Sequence, residues 1–268
     1  MWSTDMWKDK GVRKKGVPED KGRDPYWRLQ LMEDIEEGKV ADVLRVVTGE
    51  FKDDLDKELY EDRTPVRQAI MEGQVEVLRA LLDAGADPNL ATPVERASNL
   101  WVAADWGSAG CTTLLLERGA DPNVQRSDNG STPLWVAVFN QDDEVTRALL
   151  LSNPGIPCRT DLRTTDNGGT PLWAACMGGY YDAAQWLLER GADPNARTDP
   201  EGKEWGCTPL AVARSLGHDA IVQLLLENGG TDEGNHNSDD DDNWVEPPDD
   251  ADLDDPKWNR YHGQWDKK

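Results

Sequence analysis

A repeated pentapeptide is the feature of this chain that most constrains its fold. Gly-Ala-Asp-Pro-Asn occurs at Gly85–Asn89, Gly119–Asn123 and Gly191–Asn195. The first two copies lie 34 residues apart and the last two 72 residues apart, which leaves room for two units of about 36 residues. A degenerate copy, Asn153–Cys158, lies in that gap. A period of this length is typical of chains that build their core by stacking similar units, each of which contacts only its neighbours.

A second marker, Thr-Pro, indicates where each unit begins. It occurs at Thr64, Thr132, Thr170 and Thr208, and Ser98 stands at the corresponding place of one further unit. Thr and Ser are good helix N-caps, and Pro suits the first helical position because its missing N–H has no intrahelical partner there. Two runs of apolar residues at helical spacing follow, and the glycine of the pentapeptide suits the left-handed residue that ends the second run. Each unit therefore predicts two helices joined by a short turn.

Two units carry this pattern in nearly complete form, TPLWAACMGGYYDAAQWLLERGADPN (Thr170–Asn195) and TPLAVARSLGHDAIVQLLLENGG (Thr208–Gly230). They resemble the ankyrin repeat, whose pattern is a TPLHLAA-type first helix, a Gly-His turn, a leucine-rich second helix and a GADPN-like start of a hairpin. The resemblance covers residues 29–230 and implies five repeats, with Leu29–Val47 as a weaker N-terminal capping unit. The expected fold is an all-α solenoid of stacked helix-turn-helix units with hairpin-like loops.

The ends of the chain differ from the repeats in composition. Residues 231–268 include the acidic stretch SDDDDNWVEPPDDADLDDP, and residues 1–28 mix basic and acidic side chains. Such a tail buries too little apolar area to offset the entropy lost on ordering. We expect a disordered N-terminal segment over 1–28, the ankyrin-repeat domain over 29–230 and a disordered acidic tail over 231–268. Irregular stacking is expected around the Ser98 and Thr132 units, which depart from the repeat pattern.

The charge of the chain restricts the classes of partner it would bind. Its net charge is -23, which disfavours nucleic-acid phosphates and anionic membrane surfaces because both would be repelled. A protein with a basic surface is an easier partner, although such acidity also serves solubility alone. No apolar run approaches the roughly 18 residues of a membrane helix, and the N-terminus lacks the apolar core of a secretory signal. With four scattered cysteines that are expected to stay reduced, these features predict a cytoplasmic or nuclear protein.

The sequence carries no catalytic constellation, so we predict no catalytic, cofactor-binding or metal-binding residues and no enzyme activity. It lacks the phosphate-binding, nucleophile-elbow and zinc-protease motifs. His218 lies in the Gly-His turn, where a structural hydrogen bond is expected. The Asp239–Asp242 run lacks the alternating ligand spacing of a calcium-binding loop.

Three tryptophans stand where the family pattern has histidine: Trp101, Trp135 and Trp173. Each occupies the third helical position after its cap, and their spacing predicts a ladder of stacked rings from repeat to repeat. Trp186, in a second helix, is expected in the core as well. The asparagines that end the three pentapeptides are expected to fix turn geometry, because Asn readily hydrogen-bonds the local backbone.

A further set of large side chains falls near the end of the first helix, close after it, or in an enlarged loop. It comprises Trp106, Phe139, Met177, Tyr180, Tyr181 and Trp205. In the ankyrin architecture this region borders the concave face, where the family commonly binds partners, and Trp106 is expected to be partly exposed. Because Trp, Tyr and Phe are typical interface anchors, we predict that this set contacts a partner. Local packing, and loop closure in the case of Trp205, are the alternatives.

The resemblance and the absence of catalytic motifs favour a non-catalytic interaction module, a scaffold or adaptor that binds another protein. Two alternatives remain open at this point. One is a regulatory inhibitor whose acidic tail masks a basic site on its target. The other is a structural subunit of a larger assembly, suggested by the tryptophans in both ends of the chain.

Overall fold

A computed structural model describes residues 27–48, 56, 63–91, 97–151, 155–166, 168–198 and 207–231. These residues form helices and loops, and an antiparallel bridge pairs Ala91 with Ser98. The helices are α1 (Trp27–Glu36), α2 (Val40–Val47), α3 (Pro65–Met71), α4 (Val75–Asp83), α5 (Asn99–Asp105), α6 (Ala109–Glu117), α7 (Pro133–Phe139), α8 (Asp143–Leu151), α9 (Pro171–Met177), α10 (Tyr181–Glu189), α11 (Pro209–Ser215) and α12 (Asp219–Glu227).

The helices pair in chain order, and the pairs stack on one another. Each odd-numbered helix, called inner below, packs against the even-numbered outer helix that follows it, and inner helices of neighbouring pairs contact each other along the whole row. The first pair, α1 and α2, stacks on the pair α3 and α4 as the predicted capping unit would. The all-α solenoid of helix-turn-helix units is therefore confirmed.

Each regular inner helix begins at the predicted cap. The Oγ1 atom of Thr132 accepts a hydrogen bond of 3.1 Å from the backbone N–H of Trp135, and Ser98 accepts one of 3.2 Å from Trp101 in the same way. A proline follows the cap in four of the five repeats in which a Thr or Ser caps the inner helix. The cap satisfies one backbone donor that would otherwise lack a partner, so the helix start is fixed locally.

The loops between repeats close as short hairpins. Backbone N–H groups donate across the loop from Asn99 to Leu90, from Arg126 to Ser131, from Thr164 to Gly169 and from Thr198 to Cys207. The core lies between the two helix rows and consists mainly of leucine, valine and alanine, with Leu134, Leu149 and Leu172 fully buried.

One junction departs from this regularity. Neighbouring outer helices contact each other substantially at the other described junctions, but no comparable contact joins α8 and α10. The space between them is spanned by Trp186, whose ring lies 4.4 Å from the guanidinium of Arg147. Arg190 also donates a hydrogen bond to the carbonyl of Leu150. Irregular stacking beside the Thr132 repeat is thus present, and Trp186 is half-buried rather than in the core.

The two predicted disordered ends lie outside the described residues, except for residues 27, 28 and 231 at their borders. The predicted boundaries at 28 and 231 therefore stay predictions, next to a first helix that begins at Trp27 and a last one that ends at Glu227. Within the described part of the chain, every helix is too short or too polar to cross a bilayer.

Candidate partner-binding surface

The side chains that end the inner helices form one face, here called the inner-helix face. It consists of the last helical residue and the C-cap of α3, α5, α7, α9 and α11. Trp106, the C-cap of α5, has 56% of its surface exposed, although most large apolar side chains of the described residues are buried. Beside it lies a groove of about 260 Å³ lined by Ala97, Trp101, Val102, Asp105, Trp106 and Arg126.

Trp101 forms the floor of this groove. Its indole Nε1 donates a hydrogen bond of 3.0 Å to the Oγ atom of Ser131 in the next loop, and 9% of the residue is exposed. The Arg126 guanidinium lies 4.6 Å from the indole centroid, a distance typical of a cation–π contact. Arg126 also lies 3.0 Å from a carboxylate oxygen of Asp128. The floor of the groove is therefore held in place from two sides.

The carboxylate next to Trp106 is held from the following repeat. The Asn140 side-chain amide donates to the backbone carbonyl of Asp105 at 3.3 Å and approaches its Oδ1 at 3.4 Å. Partial desolvation raises the pKa of Asp105, although the hydrogen bond from Asn140 and the positive charge of Arg126 oppose this shift. The groove thus presents an exposed indole and an exposed carboxylate side by side.

Phe139 and Met177 continue the inner-helix face. Both are half-buried at the ends of α7 and α9, which pack against each other. The Phe139 ring stacks on Trp135 at a centroid distance of 5.0 Å and an interplanar angle of 11°. The structure therefore brings Trp106, Phe139 and Met177 to the ends of three consecutive inner helices.

The remaining candidates lie elsewhere. Tyr180 precedes outer helix α10 and meets the Trp186 ring edge-on at 6.3 Å, whereas Tyr181 begins α10 and is 40% exposed. These two tyrosines belong to the turn side of the repeat and do not continue the line from Trp106 to Met177. Trp205 lies outside the described residues, so its predicted role stays a prediction.

Two acidic side chains that the sequence pattern did not indicate lie at the N-terminal end of this face: Glu72 is the C-cap of α3, and Glu36 is the last residue of α1. The buried Gln68 amide nitrogen donates to Glu36 at 3.0 Å and to Glu72 at 3.1 Å. Because one amide bridges both carboxylates, they lie close together. Burial, followed by the charge of Glu72, raises the pKa of Glu36. Alignment of the repeats on their turn glycines could have found them, since Glu36 then occupies the position of Phe139 and Glu72 that of Trp106.

Comparison with known proteins shows which family this architecture represents. The family model "Ankyrin repeats (3 copies)" matches residues 100–198, and the model "Ankyrin repeat" matches residues 61–93 and 205–240, which together cover more than half of the chain. The chain belongs to the ankyrin-repeat family. No curated protein matches the sequence at a significant level.

Solved ankyrin-repeat domains share the architecture. The human ASB11 ankyrin repeat domain is similar with a TM-score of 0.59 and 26% identity, over 75% of this chain and 84% of that domain. The ankyrin repeat domain of Bcl-3, described as a unique member of the IkappaB protein family, has a TM-score of 0.66 and 25% identity. That alignment covers 75% of this chain and 86% of the Bcl-3 chain.

The predicted ladder of stacked tryptophans is wrong. Two of the indoles instead contact the loop that precedes the next ankyrin repeat: Trp101 bonds Ser131, and Trp173 Nε1 lies 3.3 Å from the Sγ atom of Cys207. The Trp135 ring stacks on Phe139 of its own helix. Arg67, at the same helical position in the first repeat, donates to the carbonyl of Ala97 at 2.7 Å. The loop position that Ser131 and Cys207 occupy in their repeats is taken by Gly169 before α9. The Trp135 indole N–H of the preceding repeat is buried without a hydrogen-bond partner in the described part of the chain. Position 169 offers no side-chain acceptor because it is glycine.

The structural hydrogen bond expected from the His218 side chain is also absent from the described contacts. The imidazole instead lies against the turn of the preceding ankyrin repeat, where a methyl group on Gly179 would come within 2.7 Å of the ring carbon Cε1. Gly179 has a φ of +69°, which favours glycine as well. His218 thus has a packing role between turns.

The described residues of this ankyrin-repeat domain also show how its metal-binding side-chain types and its thiols are placed. Within them no group of three or more His, Cys, Asp or Glu side chains is placed to hold a metal ion. All four cysteines are free thiols. Burial raises the pKa of the Cys158 thiol to about 12 and that of Cys176 above its usual range, so both resist ionisation at neutral pH.

Proposed function

We propose that this ankyrin-repeat chain is a non-catalytic interaction module that binds a partner protein on its inner-helix face. The observation that carries the proposal is the exposed indole of Trp106 beside a groove of about 260 Å³. In ankyrin-repeat proteins this region borders the concave face, where partners commonly bind.

Trp106 has the character of a binding anchor. An indole that is more than half exposed stabilises the isolated chain little, yet removal of its remaining apolar surface from water would favour a complex. The half-buried Phe139 and Met177 extend the apolar area along two further repeats. A few central aromatic residues surrounded by weaker contacts are the usual energetic arrangement of a protein interface.

The charges around this apolar line favour a partner with a basic segment. Asp105 lies next to Trp106, and Glu36 and Glu72 extend the inner-helix face toward the N-terminus. Burial and, after it, repulsion by the Glu72 carboxylate raise the pKa of Glu36, and a lysine or arginine of the partner would relieve that repulsion. The net charge of -23 would also attract such a partner from a distance.

The acidity of the chain also bears on where the protein acts and which class of partner it binds. We infer a cytoplasmic or nuclear module whose partner is a protein rather than a nucleic acid. The regulatory inhibitor and the structural subunit are special cases of such binding, and they depend on the ends of the chain. Deletion of residues 231–268 separates the inhibitor from the simple module, because it would abolish inhibition of a target and leave binding on the inner-helix face intact.

The test is a comparative affinity capture from lysate with quantification by mass spectrometry. The wild-type chain is compared with Trp106→Ala and with Leu226→Ala, in which an outer-helix residue of 46% exposure is truncated instead. We expect a partner that is depleted at least tenfold with Trp106→Ala and retained with Leu226→Ala, as loss of an anchor worth about 2 kcal/mol would produce. Equal capture by all three chains would contradict the proposal.

A further inference from the structure

Three of the loops are joined to the next repeat by the same side-chain bridge. The Asn89 amide donates to the carbonyl of Gly119 at 3.3 Å, and its carbonyl oxygen accepts from the backbone N–H of Asp121 at 2.8 Å. Asn123 bridges Pro157 and Arg159 in this way, at 3.0 and 2.8 Å. One primary carboxamide thus satisfies a backbone acceptor and a backbone donor two residues apart.

The last loop of the described chain repeats this geometry. Asn195 donates to the carbonyl of Gly229 at 3.0 Å and accepts from the N–H of Thr231 at 2.8 Å. The three bridges share their atoms and their spacing although they join different pairs of repeats. Their agreement defines which chemical group fits the backbone of the following loop.

The bridge is missing where the loop before α9 meets the loop after α10. Alignment of the repeats places Asp161 at the asparagine position, and its carboxylate is held by Arg159 through hydrogen bonds of 3.0 and 2.9 Å. A carboxylate also cannot donate to a carbonyl. The backbone groups that correspond to those of Gly119 and Asp121 are the carbonyl of Gly191 and the N–H of Asp193. Neither group has a hydrogen-bond partner in the described part of the chain.

A cavity of about 300 Å³ opens at this place. It borders both Asp161, the side chain that fails to bridge, and Asp193, whose N–H lacks a partner. The rest of its lining is Thr160, Arg163, Thr170, Ala192 and Ala196. The cavity is partly open to solvent at a surface formed by loops, away from the inner-helix groove. A side chain from another molecule can therefore reach it.

We propose that this cavity is a binding site for the primary carboxamide of an asparagine or glutamine side chain of a partner protein. The three intramolecular bridges show the occupant that this backbone arrangement accepts. A primary carboxamide offers an N–H on the same side as its carbonyl oxygen, as the bridge requires, whereas a trans peptide group has its N–H and C=O on opposite sides. A carboxylate can accept from the backbone N–H, as Asp56 does from Asp87 at 3.0 Å, but it cannot donate to the neighbouring carbonyl and so makes only half of the bridge.

This site is independent of the proposed binding on the inner-helix face, because it uses other residues and another kind of contact. Its test is an NMR titration of the full-length chain with N-acetyl-asparagine N-methylamide at millimolar concentrations. N-acetyl-aspartate N-methylamide and N-acetyl-alanine N-methylamide are the matched probes, which retain the peptide groups and lack the carboxamide. The backbone N–H of Asp121, already occupied by Asn89, is an internal control.

The asparagine probe is expected to shift the Asp193 amide resonance downfield in a saturable way and to leave that of Asp121 unchanged. The alanine probe should produce no such shift, and the aspartate probe should bind more weakly because a carboxylate cannot donate to the Gly191 carbonyl. Asp161→Asn should abolish the response and move the Asp193 resonance downfield before any probe is added, because its own side chain would fill the site. An unresponsive Asp193 in the wild-type chain, an equal response to all three probes, or an undiminished response in Asp161→Asn would each overturn the proposal.

Discussion

The indole Nε1 of Trp101 lies 3.0 Å from the Oγ atom of Ser131, thirty residues further along the chain. This hydrogen bond joins the first helix of one repeat to the loop that precedes the first helix of the next. A buried donor without such a partner would cost about 1–3 kcal/mol. The contact therefore couples neighbouring repeats through a polar group in an otherwise apolar interface.

The corresponding contact can be built where it is missing. In Gly169→Ser a hydroxyl would stand where Ser131 stands one repeat earlier, within reach of the unpartnered Trp135 indole. We expect the free energy of unfolding to rise by about 1 kcal/mol, measured by urea denaturation. Gly169→Ala is the control for the backbone effect of losing glycine. A serine variant no more stable than the alanine variant would contradict this account of the Trp135 environment.

The turn glycines offer a matched pair that isolates the packing of His218. Gly179 and Gly217 both have positive φ angles, +69° and +73°, but only at Gly179 would a methyl group meet the His218 ring. Each change to alanine should cost about 1 kcal/mol through backbone strain, and Gly179→Ala should cost measurably more. Thermal melting of the two variants gives the comparison. Equal losses would mean that His218 can move away freely.

Two tryptophans should differ in what their truncation costs. Trp135 is 7% exposed and stacked on Phe139, so Trp135→Ala is expected to lower the free energy of unfolding by about 3 kcal/mol. Trp106→Ala should lower it by less than about 1 kcal/mol, because the indole is already largely in water. Urea denaturation of both variants tests this difference. If Trp106→Ala is as destabilising as Trp135→Ala, Trp106 belongs to the core.

The sequence predicted the elements whose causes are local. Thr132 and Ser98 cap their helices as expected, because an N-cap needs only the next three residues. The exposure of Trp106 also followed from its position at the end of a helix. These features repeat along the chain, so several copies supported each prediction.

Contacts between repeats were harder to predict. The tryptophan ladder was wrong because spacing along the chain gives the position of a ring and not its direction. Trp101 and Trp173 turn toward the next loop, and Trp135 stacks on Phe139. The presence of Asp161 where other repeats have asparagine can be interpreted only once the hydrogen bonds of Asn123 to the following loop are known. The proximity of the Glu36 and Glu72 carboxylates was likewise not predicted, because it is seen only from the Gln68 amide, which donates to both.

The acidic pair predicts a pH dependence of stability. Because burial and Glu72 raise the pKa of Glu36 in the folded state, folding favours the protonated form of Glu36. The stability that this preference contributes is present at low pH and is lost as the pH rises through the raised folded pKa. Glu36→Gln should therefore be more stable than the wild type at pH 7, and the difference should disappear below the usual glutamate pKa of about 4.3. Chemical denaturation at both pH values checks this, and a variant less stable at pH 7 would contradict it.

Binding of a partner protein on the inner-helix face can be tested by cross-linking. The most direct test places the photoreactive amino acid p-benzoylphenylalanine at position 139, in place of Phe139, and in a second chain at position 226, in place of the exposed outer-helix residue Leu226. After irradiation with the captured partner, mass spectrometry identifies which position is cross-linked to it. Binding on the inner-helix face predicts a cross-link from position 139 and none from position 226. A cross-link from position 226 with none from position 139 would contradict it.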